Sequence, residues 1–168
     1  LYDANINEIR IDEVGSIIDE LDKNEDLSYT IYQSSENNKV TGYAIPIAGK
    51  GLWGTMYGYF AIEPDAETVK GITFYKHKET PGLGAEVDKD WFKNNFVGKK
   101  LTNKNGELVS IEVIKGYVSD TDPDAPHKVD GISGATITGT GLTTFLKSDL
   151  QKYEPYFACL LYTSDAAD

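Results

Sequence analysis

Gly49-Lys50-Gly51-Leu52-Trp53-Gly54-Thr55-Met56-Tyr57-Gly58-Tyr59-Phe60-Ala61-Ile62 is the stretch on which the fold turns. Gly49, Gly51 and Gly54 satisfy G-x-G-x-x-G, but that turn binds a dinucleotide only between a strand and a helix of a βαβ unit. Here Tyr57 to Ile62 follows, aromatic and β-branched, and reads as strand. No acidic residue is placed after a following helix and strand. The dinucleotide fold therefore fails, and the chain needs another architecture.

Outward from this stretch, strand signals recur. Glu63-Pro64-Asp65 is a turn, and Val69–Tyr75 beyond it pairs with Tyr57–Ile62 as a hairpin. Upstream, alternation begins at Ser28 with Tyr29 and Ile31. It resumes at Val40–Ile47 after the turn-forming residues Ser34–Asn38. Val87, Trp91 and Phe96 among Asp and Lys predict a helix over about residues 85–96. Leu108–Lys115 alternates, with Val109, Ile111 and Val113 on one face, and is expected to be a strand. Asp120–Asp130, with Pro123 and Pro126, is loop. After Thr136, the residues Leu142, Phe145, Leu146, Leu150 and Tyr153 recur at helical spacing. Residues 1–26 are polar and acidic, with short apolar contacts at Ile6, Ile9, Ile11 and Val14. Hairpins with few helices and no regular βα alternation predict an α+β fold, a predominantly antiparallel sheet with a few flanking helices.

The 168 residues suit a single domain, expected over residues 1–157 with its core over about 27–157. With 27 Asp and Glu against 16 Lys and Arg, the net charge of −11 repels nucleic acid and anionic headgroups, so no nucleic-acid partner is expected. Cys159, His77 and His127 are too few for an iron–sulfur cluster or a structural zinc site, and no metal site is expected. Residues 158–168 read as a non-native tail, to be set aside from fold reasoning.

Asp130-Gly131-Ile132-Ser133-Gly134-Ala135-Thr136 places a threonine hydroxyl after a run of small residues, at the start of the predicted helix. A phosphate there would meet free backbone N–H groups and the positive end of the helix dipole. For Ser133-Gly134-Ala135-Thr136 alone, an ordinary N-cap or turn is the better reading. A serine-hydrolase elbow is poorly supported, because Gly131-Ile132-Ser133-Gly134-Ala135 does not have the G-x-S-x-G form. Lys78-Glu79-Thr80-Pro81-Gly82-Leu83-Gly84-Ala85-Glu86 is a Gly-rich turn that could offer backbone groups to the edge of a flat heteroaromatic ring, with Leu83 on its face. An ordinary strand-to-helix connection is the alternative.

Asp130-x-x-Ser133-Gly134-Ala135-Thr136 resembles the flavinylation motif of the FMN-binding domain family, and Glu79-Thr80-Pro81-Gly82-Leu83-Gly84 resembles that family's segment beside the isoalloxazine. The resemblance implies FMN joined covalently to Thr136 through a phosphoester, installed by a flavin transferase, with Asp130, Ser133, Gly134 and Ala135 as recognition positions. It further implies that Glu79, Thr80, Gly82, Leu83, Gly84, Trp53 and Gly54 surround the ring, and that no side chain is catalytic. The Gly49–Tyr59 stretch resembles the branch formed by the C subunits of sodium-translocating NADH:quinone reductases, more than the G subunits of Rnf electron-transport complexes. That branch implies a one-electron carrier in a respiratory membrane complex with other reductase subunits as partners. It implies a single N-terminal membrane helix, missing from a chain that begins at Leu1, and a domain on the outer, periplasmic side of the cytoplasmic membrane. A non-redox extracytoplasmic binding module that never receives flavin stays open.

Overall fold

Lys39–Lys50 and Thr55–Ile62 form a hairpin of eight Cα pairs, from Tyr43↔Ile62 to Lys50↔Thr55. It is closed by the turn Gly51–Gly54, in which the Gly51 N–H donates to the Gly54 carbonyl at 2.8 Å. The computed structural model describes residues 5–18 and 28–166. Its elements are β1 (Asn5–Ile11), β2 (Tyr29–Glu36), β3 (Lys39–Lys50), β4 (Thr55–Ile62), β5 (Val69–Lys76), α1 (Asp90–Asn94), β6 (Glu112–Val113), β7 (Lys128–Val129) and α2 (Thr136–Ala166). Single 3-10 turns occupy Gly84–Asp88 and Ala125–His127. Strands β1 to β5 form one antiparallel sheet in chain order, and β6 and β7 pair in parallel beside it. The α+β architecture with a predominantly antiparallel sheet is the one expected.

Alternation divides the sheet into two faces. On β4, Met56, Gly58, Phe60 and Ile62 are buried, whereas Thr55 and Tyr59 are exposed. The buried face joins Ile31, Ile45, Ile47 and Ile72 to Leu142, Phe145, Leu146, Leu150 and Tyr153 of α2. These are the five positions whose spacing predicted the helix. On the opposite face, tyrosines 32, 59, 75 and 57 follow one another with ring centroids 5.6–6.3 Å apart.

Two contacts seat α2 on β3. Gly49 lies under Phe145 so closely that a Cβ there would fall 2.0 Å from the Phe145 Cβ. Gly141 lies over the Lys50 carbonyl oxygen, 2.3 Å from where its own Cβ would be. Further along the helix, buried Asp149 accepts the Ala48 N–H at 2.8 Å and a Lys152 ammonium hydrogen at 2.7 Å. The β2–β3 pairing ends at Tyr32↔Ala44, so Ala48 lies on an open edge and the carboxylate satisfies its donor. Among the described residues, no helix is long and apolar enough to cross a membrane.

Four features differ from the sequence reading. Residues 5–11 form an edge strand paired along its length with β2, and Ile11 is fully buried, so the packed unit reaches upstream of residue 27. Polar Asn5, Asn7, Glu8 and Arg10 hide that strand because an edge strand tolerates them. The helix expected over 85–96 is split at extended Lys89 (φ −78°, ψ 143°) into a 3-10 turn and the five residues of α1. Val87 and Phe96 are buried there, but Trp91 is 47% exposed. The strand expected over 108–115 is reduced to Glu112–Val113, because Ser110 adopts the left-handed φ of 64° and breaks the alternation. Finally, α2 continues past residue 157, with Leu160 and Leu161 half-buried against the core, while residues 167–168 of the expected tail lie outside the described ones.

Ser110 is buried in that strained conformation, and its hydroxyl finds no partner. Replacing Ser110 with Gly relieves both and should raise the unfolding free energy by about 1 kcal/mol in urea denaturation. Gly49→Ala should act oppositely. By forcing α2 off β3 it should cost about 3 kcal/mol, with a lower midpoint in the same assay.

Candidate functional site

The site is organised by a carboxylate. Glu79 follows β5 and is 6% exposed. It accepts the backbone N–H groups of Leu52 at 3.3 Å and Trp53 at 3.0 Å, and the Thr138 hydroxyl donates to it at 2.5 Å. Two glycines make room for it. A Cβ on Gly51 would fall 2.6 Å from Glu79 Oε1, and one on Gly84 would fall 2.5 Å from Oε2. The Glu79 N–H donates to His77 Nδ1 at 3.1 Å, which leaves the other ring nitrogen to donate to Asp88 at 2.6 Å. A buried carboxylate is stable when its lone pairs are filled in this way.

Beyond Glu79 the chain turns tightly. The Thr80 carbonyl accepts from Leu83 at 3.0 Å and Ala85 at 3.1 Å, and Gly82 supplies the required φ of +75°. Leu83 is thereby thrown outward, 42% exposed, and its Cδ2 lies 2.9 Å from where a Cβ on Gly134 would be. Gly134 also has φ of +75°, so it needs its freedom for conformation as well as for space.

Asp130 approaches this point from the rear, accepting the Val118 N–H at 2.7 Å. The Gly131 N–H donates to the Gly116 carbonyl at 2.9 Å, and Ala135 N–H closes a turn on Ile132 at 3.0 Å. Thr136 opens α2 and is exposed, as are Ser133 and Gly134. It stands between two clefts. One, of about 280 Å³, is lined by Lys115, Tyr117, Ile132 and Ser133. The other, of about 430 Å³, is lined by Lys50, Ile137, Thr140 and Phe145. Small-molecule sites are typically concave and about 300–1,000 Å³.

The three sequence motifs thus meet. Trp53 and Gly54 come from the hairpin turn, with Glu79, Thr80, Gly82, Leu83 and Gly84 from the second motif and Ser133, Gly134 and Thr136 from the third. A Cβ on Gly54 would lie 3.6 Å from Lys78 Cδ, an ordinary contact. Ala135 is 4% exposed and serves packing. Asp130 lines neither cleft beside Thr136 and instead ties the 116–118 loop to the start of the motif. Sequence reasoning missed Thr138, 1% exposed, and His77, because an isolated threonine or histidine carries no pattern. It also missed Lys115 and Tyr117, which only the fold brings to Thr136. A further concavity at the far end of α2, lined by Leu101, Leu150, Phe157 and Leu161, holds only about 40 Å³, scarcely more than one water.

These features suit a flavin mononucleotide. The room that Gly134 leaves is taken by the Leu83 side chain, whose exposed part is an apolar surface suited to the face of a flat ring. A phosphate fits the exposed start of a long helix. Known proteins agree. The sequence profile of the FMN-binding domain matches residues 51–151. The chain is 43% identical over 117 residues to the C subunit of the Na(+)-translocating NADH-quinone reductase of Pseudomonas aeruginosa, covering 70% of this chain and 44% of that protein. With the corresponding protein of Haemophilus ducreyi it shares 41% over 133 residues, 78% of this chain and 50% of that protein. The chain therefore spans about half the length of these relatives. The crystal structure of the same reductase component from Parabacteroides distasonis superposes with a TM-score of 0.77 at 32% identity, covering 92% of this chain and 78% of that one. Shewanella oneidensis NqrC gives 0.79 at 26% identity, covering 92% and 83%. The chain belongs to the FMN-binding domain family, and within it is similar to the C subunits of Na(+)-translocating NADH-quinone reductases.

Proposed function

We propose that this chain is the flavin domain of a one-electron carrier, with FMN joined to the Thr136 hydroxyl through a phosphoester. The observation that carries the reading is the placement of an exposed threonine at the start of α2, between two clefts and beside the Leu83–Gly134 contact. FMN, once bound, supplies the one-electron redox chemistry. The protein's residues hold and shield it. Thr136 anchors, the N–H groups opening α2 face the phosphate, and Leu83 covers one ring face. The Trp53 turn, held in place by Glu79, would also help to hold the ring. No side chain need move a proton.

The relatives' names point to such a domain in a sodium-translocating NADH:quinone reductase. On that reading its partners are the other reductase subunits, with a flavin transferase acting during maturation. A membrane helix preceding the domain would hold it on the periplasmic side of the inner membrane. The same names favour this assignment over an Rnf-type carrier. Alone, the domain is expected to carry electrons without oxidising NADH.

Intact-mass measurement after co-expression with a flavin transferase tests the anchor. The domain should gain one FMN less one water, and Thr136→Val should gain nothing. An unmodified domain, beside a control substrate that the same transferase labels, would leave a non-redox binding module as the better reading. Glu79→Gln should keep the overall fold but set its amide NH₂ against one of the Leu52 and Trp53 donors, which bond different carboxylate oxygens. We expect a loss of about 2 kcal/mol in denaturation and a reduced fraction flavinylated in the same mass assay.

A further inference from the structure

Leu52, Trp53 and Thr138 hold the Glu79 carboxylate, but the Glu79 backbone is held by His77. His77 is the first residue after β5, and its side chain is only 12% exposed. Nδ1 receives the Glu79 N–H at 3.1 Å, while Nε2 lies 2.6 Å from an Asp88 carboxylate oxygen. A peptide N–H only donates, so Nδ1 must carry a lone pair and the ring proton must sit on Nε2. The ring therefore joins two segments in one tautomer. Asp88, at the end of the 3-10 turn, fixes which nitrogen bears the proton. The other nitrogen fixes the backbone of Glu79.

Protonation of the ring would undo one of these contacts and keep the other. With hydrogen on both nitrogens, Nδ1–H would face the Glu79 N–H, donor against donor. The Asp88 contact would instead become a charge-assisted pair and strengthen. The ring then stays with the 3-10 turn, and the peptide between Lys78 and Glu79 gives way. The Glu79 side chain has little slack to absorb that shift. It is 6% exposed, and a Cβ on Gly51 or Gly84 would fall 2.6 or 2.5 Å from its oxygens. Movement of the Glu79 backbone is thereby passed to the N–H groups of Leu52 and Trp53. Neighbouring ionic groups are engaged elsewhere or lie in solvent. Glu86 accepts the Trp91 indole N–H at 3.1 Å, and Asp90 pairs with Lys93 at 3.3 Å. The Lys76 ammonium lies 5.6 Å from the Tyr57 ring centroid, and Lys78 and Lys89 are exposed.

We propose that His77 is the positioning residue of the Leu52–Trp53 turn. Acting through Glu79, its neutral form sets the hairpin end of the site, and its protonated form releases it. Histidine as a class changes charge between about pH 5 and 8. The consequence for FMN, a turn beside the flavin that loosens as pH falls, rests on the electron-carrier reading above.

The test follows the flavin-free domain, labelled with ¹⁵N and ¹³C, by NMR from about pH 8 down to 5. At the upper end the His77 ring should show the Nε2–H tautomer. As pH falls, the amide shifts of Glu79, Leu52 and Trp53 should move along the same curve as the His77 ring carbons. His77→Asn sets an amide oxygen where Nδ1 stood and cannot titrate. It should hold those amides at their high-pH shifts and abolish the curve. His77→Phe keeps a ring without an acceptor, and exchange of the Glu79 amide hydrogen should quicken about 5-fold, with little change in His77→Asn. An Nδ1–H tautomer, or a ring that titrates while Leu52 and Trp53 stay still, would overturn the proposal. So would a curve that persists in His77→Asn, which would assign it to Glu79 itself. A domain that takes no flavin yet shows the shared curve would sink the electron-carrier reading and leave the positioning role standing.

Discussion

Three segments remote in sequence meet at the Glu79 carboxylate: the Gly51–Gly54 turn, the connection that follows β5, and the first turn of α2. The hairpin turn and the helix bring donors to it, and the two glycines that touch the carboxylate leave no room for another arrangement. A buried donor left unmatched costs about 1–3 kcal/mol, so displacement of any one segment is penalised through the others. The distance between the hairpin turn and the start of α2 is therefore set at a buried polar centre.

The remainder of the fold keeps that centre in register. Eight paired positions in the β3–β4 hairpin fix which residues reach the Gly51–Gly54 turn, and a one-residue slip would exchange the buried and exposed faces of β4. Close contact at Gly49 and Gly141 limits how α2 can slide along β3, and Asp149 ties the helix to the Ala48 N–H further along. Thr136 occupies the one end of α2 that needs no apolar partner. The exposed hydroxyl is thus separated from the packing that positions it.

Much of this was legible in the residues. Period-two alternation and strong turn signals identified β2 to β5, and helical periodicity identified α2, because each buries one face against the core. The fold brings the three motif segments together. What escaped depends on tertiary context. The polar residues of β1 conceal an edge strand, and one left-handed residue, Ser110, undoes an alternation that looked clean. Lys89 divides a helix whose apolar spacing was sound. Thr138 and His77 carry no signature, and Asp130 supports a loop rather than facing the clefts.

The Glu79–Thr138 contact spans 59 residues of chain. A contact of that separation depends on the sheet and α2 both being in place, and the entropy of loop closure is lost before such contacts return anything. The surroundings of Thr136 therefore appear late in the life of the nascent molecule. Before that moment the hydroxyl belongs to an unstructured run of small residues; afterwards it stands at the head of a helix. Anything that recognises that threonine in its native setting meets a finished protein.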